Sequence, residues 1–240
     1  MINSLQNTKV KAWMRLYQKK YRDQEYLIFE PQIIEEAYKN GYLKTLIYCG
    51  TCPFEFSEAY EVSPEVMQKL TKDEPYEYIG IGKKISEKDI EPRRMVILDD
   101  LQDPANVGMI IHSAELFGYD TVVLGTNCAD LYIDKCLNAS RGSIYHINII
   151  KRDLIPFIND IKQQGFKVYA TGLTAETKEL EEVPTSEKMA FVLGNEGSGV
   201  KKAIFAICDE IVKIRMENID SLNVAIAGTI VMYHFADKES

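Results

Sequence analysis

Residues 95–117 read MVILDDLQDPANVGMIIHSAELF, in which a short apolar strand, a polar loop and an amphipathic helix follow one another. The apolar residues of the helical part recur at the spacing of one buried helix face, and Gly118 follows as a stop signal. Further short apolar runs, most of them separated by helical segments, repeat this pattern along the chain at Thr121–Leu124, Ile144–Ile149, Lys167–Ala170, Met189–Leu193 and Ile211–Ile214. Together with Met95–Leu98, these strands alternating with helices predict an α/β fold with a parallel sheet covered on both faces.

A smaller α/β unit is predicted ahead of this sheet, so that the chain divides into domains 1–92 and 93–240. Ser63 followed by Pro64 is a favourable start for one of its helices. The charged segment Lys83–Arg94 is the predicted linker. The other predicted elements are an N-terminal helix, strands at Tyr26–Phe29, Leu43–Tyr48 and Tyr78–Ile81, and a helix at Gln32–Lys39.

The net charge of −8 and the sequence pI of about 5.1 argue, taken alone, against a nucleic-acid-binding protein. The charge is uneven, however, because residues 1–22 carry basic and aromatic side chains without any acidic residue. This segment is either a surface that contacts RNA phosphates or a solvated amphipathic helix on which Trp13 and Tyr17 pack. The candidates for RNA contact are Lys11, Arg15, Lys19, Lys20 and Arg22.

Cysteine usage and hydropathy point to the cytoplasm. The five cysteines are scattered, and Cys49 and Cys52 have the spacing of a redox or zinc pair without companion ligands, so no metal is expected. No apolar stretch approaches the roughly 18 residues of a transmembrane helix. The first residues lack the apolar core of a signal peptide, which predicts a cytoplasmic protein without a membrane partner.

Polar segments of unusual composition follow four of the predicted strands. They are Asp99–Gly108, Thr171 with Gly172, Gly194–Gly199 and Arg215–Asn223. Because the carboxyl ends of parallel strands share one edge, where open α/β sheets bind ligands, these segments predict a single crevice.

The segment Leu193–Gly199, LGNEGSG, can bring backbone amides close to a ligand. Val200 follows it, so the Gly-Lys-Ser/Thr ending of a phosphate-binding loop is missing, and the glycine spacing differs from the dinucleotide fingerprint. Glu196 within the turn can orient a cation or hydrogen-bond donors. A glycine-rich turn taken alone is as often a plain connector.

Polar side chains at two helix starts complete the candidate set. Ser221 is expected to cap the last helix, which would place Asn223 at the second helical position, where an amide gains little. The buried stripe of that helix would consist of Leu222, Ile226, Ile230 and Tyr233. Asn106 and His112 belong to the helix within residues 95–117, and His112 lies beside its apolar stripe, as a surface histidine or a functional one.

Three segments, in this order, resemble the motifs of the SpoU (TrmH-like) branch of the SPOUT RNA methyltransferases. They are residues 95–117, residues 191–200 (FVLGNEGSGV), and residues 214–233 with IRM and SLNVAIAGTIVMY. The resemblance covers nearly all of residues 93–236. Residues 9–90, notably YLIFEPQIIEEA, resemble more weakly the small α/β RNA-binding domain that many members carry before the catalytic domain.

The resemblance implies a C-terminal domain threaded as a trefoil knot, S-adenosylmethionine held in that knot, and a homodimer with the site near its interface. The implied reaction is methylation of a ribose 2′-hydroxyl in rRNA or tRNA. The implied cofactor pocket consists of Thr171, Gly172, Leu193, Gly194, Gly197, Ile214, Met216 and Leu222. The implied reaction centre contains Asn106, Glu196, Ser221 and Asn223.

Two positions depart from the family pattern. His112, six residues after Asn106, stands where the family carries an arginine credited with activating the hydroxyl or holding its phosphate. Asn138 also replaces a frequent arginine, with Arg141 close enough to compensate by contacting RNA. Neutral imidazole, with an ordinary pKa of about 6.5, is a conventional general base and can take over that role. An active enzyme is favoured because Asn106, Glu196, Ser221 and Asn223 all remain. The alternative is a catalytically weak or inactive RNA-binding protein, for example a ribosome-assembly factor.

Overall fold

The computed structural model describes residues 1–173, 177–217 and 222–236, which form two α/β units. The first unit comprises α1 (Thr8–Arg15), β1 (Glu25–Ile28), α2 (Pro31–Lys39), β2 (Leu43–Tyr48), β3 (Ala59–Glu61), α3 (Pro64–Thr71) and β4 (Tyr78–Lys83). The second comprises β5 (Arg94–Asp99), α4 (Pro104–Leu116), β6 (Thr121–Gly125), α5 (Asp134–Ser140), β7 (Asn148–Arg152), α6 (Leu154–Gln163), β8 (Lys167–Thr171), β9 (Lys178–Glu179), β10 (Met189–Gly194), α7 (Lys202–Phe205), β11 (Glu210–Lys213) and α8 (Val224–His234).

The first unit is a mixed sheet of order β1-β4-β2-β3. Its α3 begins as the sequence predicts, because Ser63 Oγ accepts a hydrogen bond from the Val66 amide and Pro64 occupies the first helical position. Trp13 of α1 is buried against this sheet's core, and the Tyr17 hydroxyl donates to the Leu70 carbonyl. Trp13 and Tyr17 therefore pack inward, as the amphipathic-helix alternative expects, whereas Tyr21 of the same segment is exposed.

The second unit is a parallel sheet of order β7-β6-β5-β10-β8-β11-β9. Residues 95–98 and 189–193 are buried throughout, as expected of central strands covered on both faces. Helices α4, α5 and α8 pack together over one face, and α6 and α7 cover the other. The predicted parallel α/β sheet is confirmed.

Buried polar contacts hold the two units together. Arg22 Nη2 lies 2.7 Å from Asp130 Oδ2, and both side chains are largely buried. The hydroxyl groups of Tyr26 and Tyr145 are 3.0 Å apart, and the Tyr26 ring packs on Tyr132. The units are therefore fixed against one another, with the residues of 84–93 running between them without regular structure.

One element prediction has the wrong bounds, and two short strands were missed. The strand expected at Ile144–Ile149 begins at Asn148 and ends at Arg152, and residues 143–145 form a short 3₁₀ helix packed against α4. Its apolar side chains are buried beneath that helix, which gave them the composition of a strand. The short edge strands β3 and β9 carry too little pattern to be predicted.

The apolar stripe expected to be buried on α8 is instead exposed. The residues that pack inward are Ala225, Gly228, Val231 and Met232. Ile226 is 51% exposed and Tyr233 is 70% exposed. The helix is apolar on all sides, so its periodicity could not identify the side that faces the sheet.

Neither a membrane span nor a metal centre is visible in the described part of the chain. No helix there is long and apolar enough to cross a bilayer. No three His, Cys, Asp or Glu side chains cluster there as metal ligands. Cys49 and Cys52 are free thiols.

Candidate active site

A cavity of about 660 Å³ lies beyond the carboxyl ends of β8, β10 and β11. This volume is in the range of small-molecule sites, roughly 300–1,000 Å³. The structure brings together here seven of the eight residues expected to hold the cofactor, namely Thr171, Gly172, Gly194, Gly197, Ile214, Met216 and Leu222. The eighth, Leu193, is fully buried, and its side chain packs against Gly228 of α8.

The glycine-rich loop closes on itself through its backbone. Asn195 and Gly199 exchange two backbone hydrogen bonds of 3.1 and 2.9 Å, and Asn195 Oδ1 accepts from the Gly197 and Ser198 amides. A Cβ on Gly194 would lie 2.1 Å from the Val200 nitrogen, so only glycine permits this close approach. The sequence reasoning missed Asn195, although an Asx turn is typical of asparagine in such a loop.

Glu196 connects this loop to the start of α4. Its carboxylate accepts hydrogen bonds from the backbone amides of Gln102 (3.2 Å) and Asp103 (3.1 Å) and from Asn106 Nδ2 (3.0 Å). Partial burial raises the pKa of Glu196, but the bonds from Asn106 and the backbone outweigh it and hold that pKa below its ordinary value. Glu196 is therefore an ionised carboxylate that orients donors, one of the two roles expected for it.

Asn106 joins Glu196 to the beginning of α8. Its Oδ1 accepts a hydrogen bond of 3.1 Å from Asn223 Nδ2. Asn223 is the N-cap of α8, because its Oδ1 accepts from the Ala225 and Ile226 amides. The expectation that Asn223 lies inside the helix is therefore wrong, and its capping role explains the residue type. Ser221, predicted to be the cap and part of the site, lies outside the described residues.

His112 lines a different cavity, of about 610 Å³, between α2, α4 and α5. Six residues along a helix amount to about 600°, so Asn106 and His112 point to different sides of α4. His112 Nδ1 lies 2.9 Å from Ser143 Oγ, and Asn138 and Arg141 line the same cavity. Within one chain, the structure thus brings His112 together with Arg141 but not with Glu196. Ser143 was missed because the sequence predicts a strand that starts only at Ile144 and gives no sign of the 3₁₀ helix at residues 143–145.

The predicted RNA-contacting residues divide into two groups. Arg22 is buried, donates to the carbonyls of Leu16 and Tyr17, and pairs with Asp130. Its guanidinium is committed to the junction of the two units, so the assignment of Arg22 to RNA contact is wrong. The exposed members are Lys11, Arg15, Lys19, Lys20 and Arg141.

A family model for the SpoU rRNA methylases matches residues 93–233. The chain belongs to the SpoU rRNA methylase family. It is 33% identical over 243 residues to the 23S rRNA (guanosine(2553)-2′-O)-methyltransferase RlmP of Bacillus subtilis, covering 97% of this chain and 98% of the relative.

Solved structures of family members have the same fold. The AdoMet-bound rRNA methyltransferase from Sinorhizobium meliloti superposes with a TM-score of 0.86 at 27% identity, covering 97% of this chain and 95% of that one. The SpoU methyltransferase AviRb from Streptomyces viridochromogenes gives a TM-score of 0.83 at 21% identity, covering 96% of each chain, and supports the fold alone. The resemblance inferred from the three motifs is confirmed.

Proposed function

We propose that this SpoU family member transfers the methyl group of S-adenosylmethionine to a ribose 2′-hydroxyl of ribosomal RNA. The observation that carries the proposal is the network of Asn106, Glu196 and Asn223, of which Glu196 and Asn223 line the cavity. The family match and the full-length similarity to a 23S rRNA 2′-O-methyltransferase support the reaction. They favour it over a non-catalytic RNA-binding protein.

The cavity fits the cofactor in shape and chemistry. Gly172 and Gly194 lie in its lining, and a Cβ on either would collide with the Phe205 ring or with Val200, so these two positions require glycine. Thr171, Ile214, Met216 and Leu222 supply a mixed polar and apolar lining. The bound cofactor supplies a sulfonium methyl group that reacts with a nucleophile approaching in line.

The polar network fixes the geometry around the reacting hydroxyl. Glu196 holds the Asn106 amide, and Asn106 in turn holds Asn223, so three loops keep one relative position. Ser221 is included in the proposed reaction centre only because it matches the third family motif. His112 and Arg141 line the second cavity and are assigned to the acceptor RNA, with His112 acting either as the general base or as a hydrogen-bond donor.

We also propose that the protein acts as a homodimer through α4 and α8. An exposed apolar surface runs over these two helices; its residues are Met109, Leu116, Leu222, Ile226, Ile230 and Tyr233. Contiguous exposed apolar patches of this kind mark protein interfaces. Met109 also lines the His112 cavity and Leu222 the cofactor cavity, so pairing of two copies would bring the two cavities close together.

Three further features complete the proposal. Family membership supports a trefoil-knotted threading of the C-terminal domain, which an experimental structure would test. The exposed basic side chains of α1 and the segment after it support RNA binding by the first unit. A cytoplasmic location follows from an rRNA substrate.

Methyl transfer to unmodified rRNA tests the proposed reaction. Purified protein, labelled S-adenosylmethionine and unmodified 23S and 16S transcripts should give label in one transcript and one linkage resistant to alkali, because 2′-O-methylation removes the attacking hydroxyl. Label in a base, with every linkage remaining alkali-labile, would refute the ribose as acceptor. If the protein binds the cofactor measurably but no label enters either rRNA or tRNA, the proposed methyltransferase activity is refuted.

A further inference from the structure

The hydroxyl group of Ser143 is buried beside His112. Ser143 is 2% exposed, and its Oγ lies 2.9 Å from Nδ1 of His112. In the described part of the chain, this nitrogen is the only hydrogen-bond partner of the hydroxyl. A hydroxyl proton that is shielded from water needs an acceptor, and an unsatisfied one costs free energy.

The hydroxyl proton decides the tautomer of the imidazole ring. Because Nδ1 is the acceptor available to Ser143 Oγ–H, the ring proton of neutral His112 must reside on Nε2. The opposite arrangement, with Nδ1–H donating to Oγ, would leave the serine proton without an acceptor among the described residues. The lone pair that a general base requires is therefore occupied by Ser143.

The remaining nitrogen is available to a ligand. His112 lines the cavity between α2, α4 and α5, and Nε2 has no partner in the described ranges. Two charged groups share that cavity, the Arg141 guanidinium and the carboxylate of Glu30, and the latter accepts from the Tyr76 hydroxyl at 3.1 Å. An N–H and a guanidinium on one cavity wall suit an oxygen acceptor of an RNA strand.

We propose that Ser143 is a positioning residue that holds neutral His112 in the Nε2–H tautomer, so that His112 donates a hydrogen bond to the acceptor RNA and does not remove the ribose proton. This assignment deepens the proposed function and rests on it only for the identity of the ligand.

The tautomer can be measured without RNA or cofactor. The protein with ¹⁵N-labelled histidines carries three imidazole rings, and His112→Gln identifies the signals of His112. In alkaline buffer, where imidazole is neutral, we expect a protonated Nε2 and an unprotonated Nδ1. Ser143→Ala should redistribute the proton between the two nitrogens. Ser140→Ala, which removes another buried hydroxyl that donates to the Leu137 carbonyl, should not. A proton on Nδ1 in the unmodified protein would overturn the proposal.

Kinetics separate a donor from a base. The amide of His112→Gln keeps an N–H donor but has no titratable group, so its methyl-transfer rate should fall by less than about tenfold, whereas His112→Leu loses the donor as well and should fall further. Loss of a general base would cost about 100-fold or more in both variants alike, and that result would refute the donor role. Ser143→Ala should raise KM for RNA by about fivefold with little change in kcat. If the unmodified protein transfers no methyl group, the proposed function fails, and the tautomer measurement still decides the inference.

Discussion

Asn106 Nδ2 lies 3.0 Å from Glu196 Oε1, while its Oδ1 accepts a hydrogen bond of 3.1 Å from Asn223 Nδ2. Both ends of one buried amide are thus used, which fixes its orientation. The start of α4, the glycine-rich loop and the start of α8 are held in one arrangement by this side chain. The cofactor cavity depends on that arrangement, since Glu196 and Asn223 both line it.

Asn106→Ala should strongly reduce methyl transfer. It leaves the Asn223 amide without its acceptor and removes one donor from Glu196, with a penalty of about 1–3 kcal/mol for an unsatisfied buried group. We expect kcat/KM to fall roughly 10- to 100-fold, measured with labelled cofactor. Asn159→Ala, an exposed asparagine on α6, is the matched control, and equal activity of the two variants would contradict the role of Asn106.

Gly194→Ala should destabilise the fold and abolish cofactor binding. The added Cβ would lie 2.1 Å from the Val200 nitrogen and 2.2 Å from the Gly199 carbonyl carbon, and these backbone atoms cannot rotate away. We expect the free energy of unfolding to fall by about 1–3 kcal/mol in chemical denaturation, as in overpacked cores.

Gly197→Ala is the control for stability. Its Cβ would meet only Asn195 Oδ1, at 3.6 Å, which is ordinary contact. Its free energy of unfolding should stay within about 0.5 kcal/mol of the original. If Gly194→Ala and Gly197→Ala have the same free energy of unfolding, the close approach of Gly194 to Val200 does not make glycine necessary there.

Arg22→Met should lower stability, whereas Lys20→Met should lower RNA affinity. Arg22 is buried and pairs with Asp130 at 2.7 Å, and its loss leaves a largely buried carboxylate unpaired, which costs about 3 kcal/mol.

Lys20 is exposed, so its loss should change stability by less than about 0.5 kcal/mol. If Lys20 contacts phosphate, the slope of log affinity against log salt should fall by about 1. Unchanged RNA binding in a combined Lys11, Arg15, Lys19 and Lys20 variant would exclude this surface.

Acid should loosen the glycine-rich loop through Glu196. Its folded-state pKa lies below the ordinary 4.5, so its ionised form contributes stability that is present above that value and is lost as the pH falls through the folded pKa. Glu196→Gln should therefore be less stable than the original at pH 7, and this difference should vanish well below pH 4.5. Because the carboxylate is exposed to solvent, we expect a difference below about 1 kcal/mol, measured by denaturation at several pH values. A difference that is the same at pH 7 and at pH 3 would show that the charge is irrelevant.

The parallel sheet and the crevice at its edge were predictable because both follow from local pattern. Alternating strands and helices place every strand end on one edge, so the sequence pattern suffices to assign Thr171 and Gly194 to one cavity, whereas Ile214 was added by the family resemblance. The burial of Arg22 could not be predicted, since its partner Asp130 lies far away in sequence.

The sequence also could not predict which neighbouring elements each side of a helix contacts. The helix repeat places His112 and Asn106 on different sides of α4, but only the packing of α2 and α5 shows that His112 lines a second cavity. The predicted strand Ile144–Ile149 overlaps the 3₁₀ helix at residues 143–145 because its residues are apolar, and the hydrogen bond between Ser143 and His112 depends on that helical conformation. Both features depend on contacts between residues that are distant in sequence, and the local sequence pattern does not show them.

Ile226→Glu should dissociate the proposed dimer. Ile226 is 51% exposed on α8, between Leu222 and Ile230, and burying an unpaired carboxylate there would be strongly unfavourable. We expect sedimentation to show a monomer for Ile226→Glu and a dimer for the original protein. Ile155→Glu, another exposed isoleucine but on α6, is the control and should leave the mass unchanged. Since Ile226 does not line either cavity, a folded monomer that has also lost methyl transfer would indicate that the site needs both copies. A dimer that persists in Ile226→Glu, and also in Tyr233→Glu, would place the interface elsewhere.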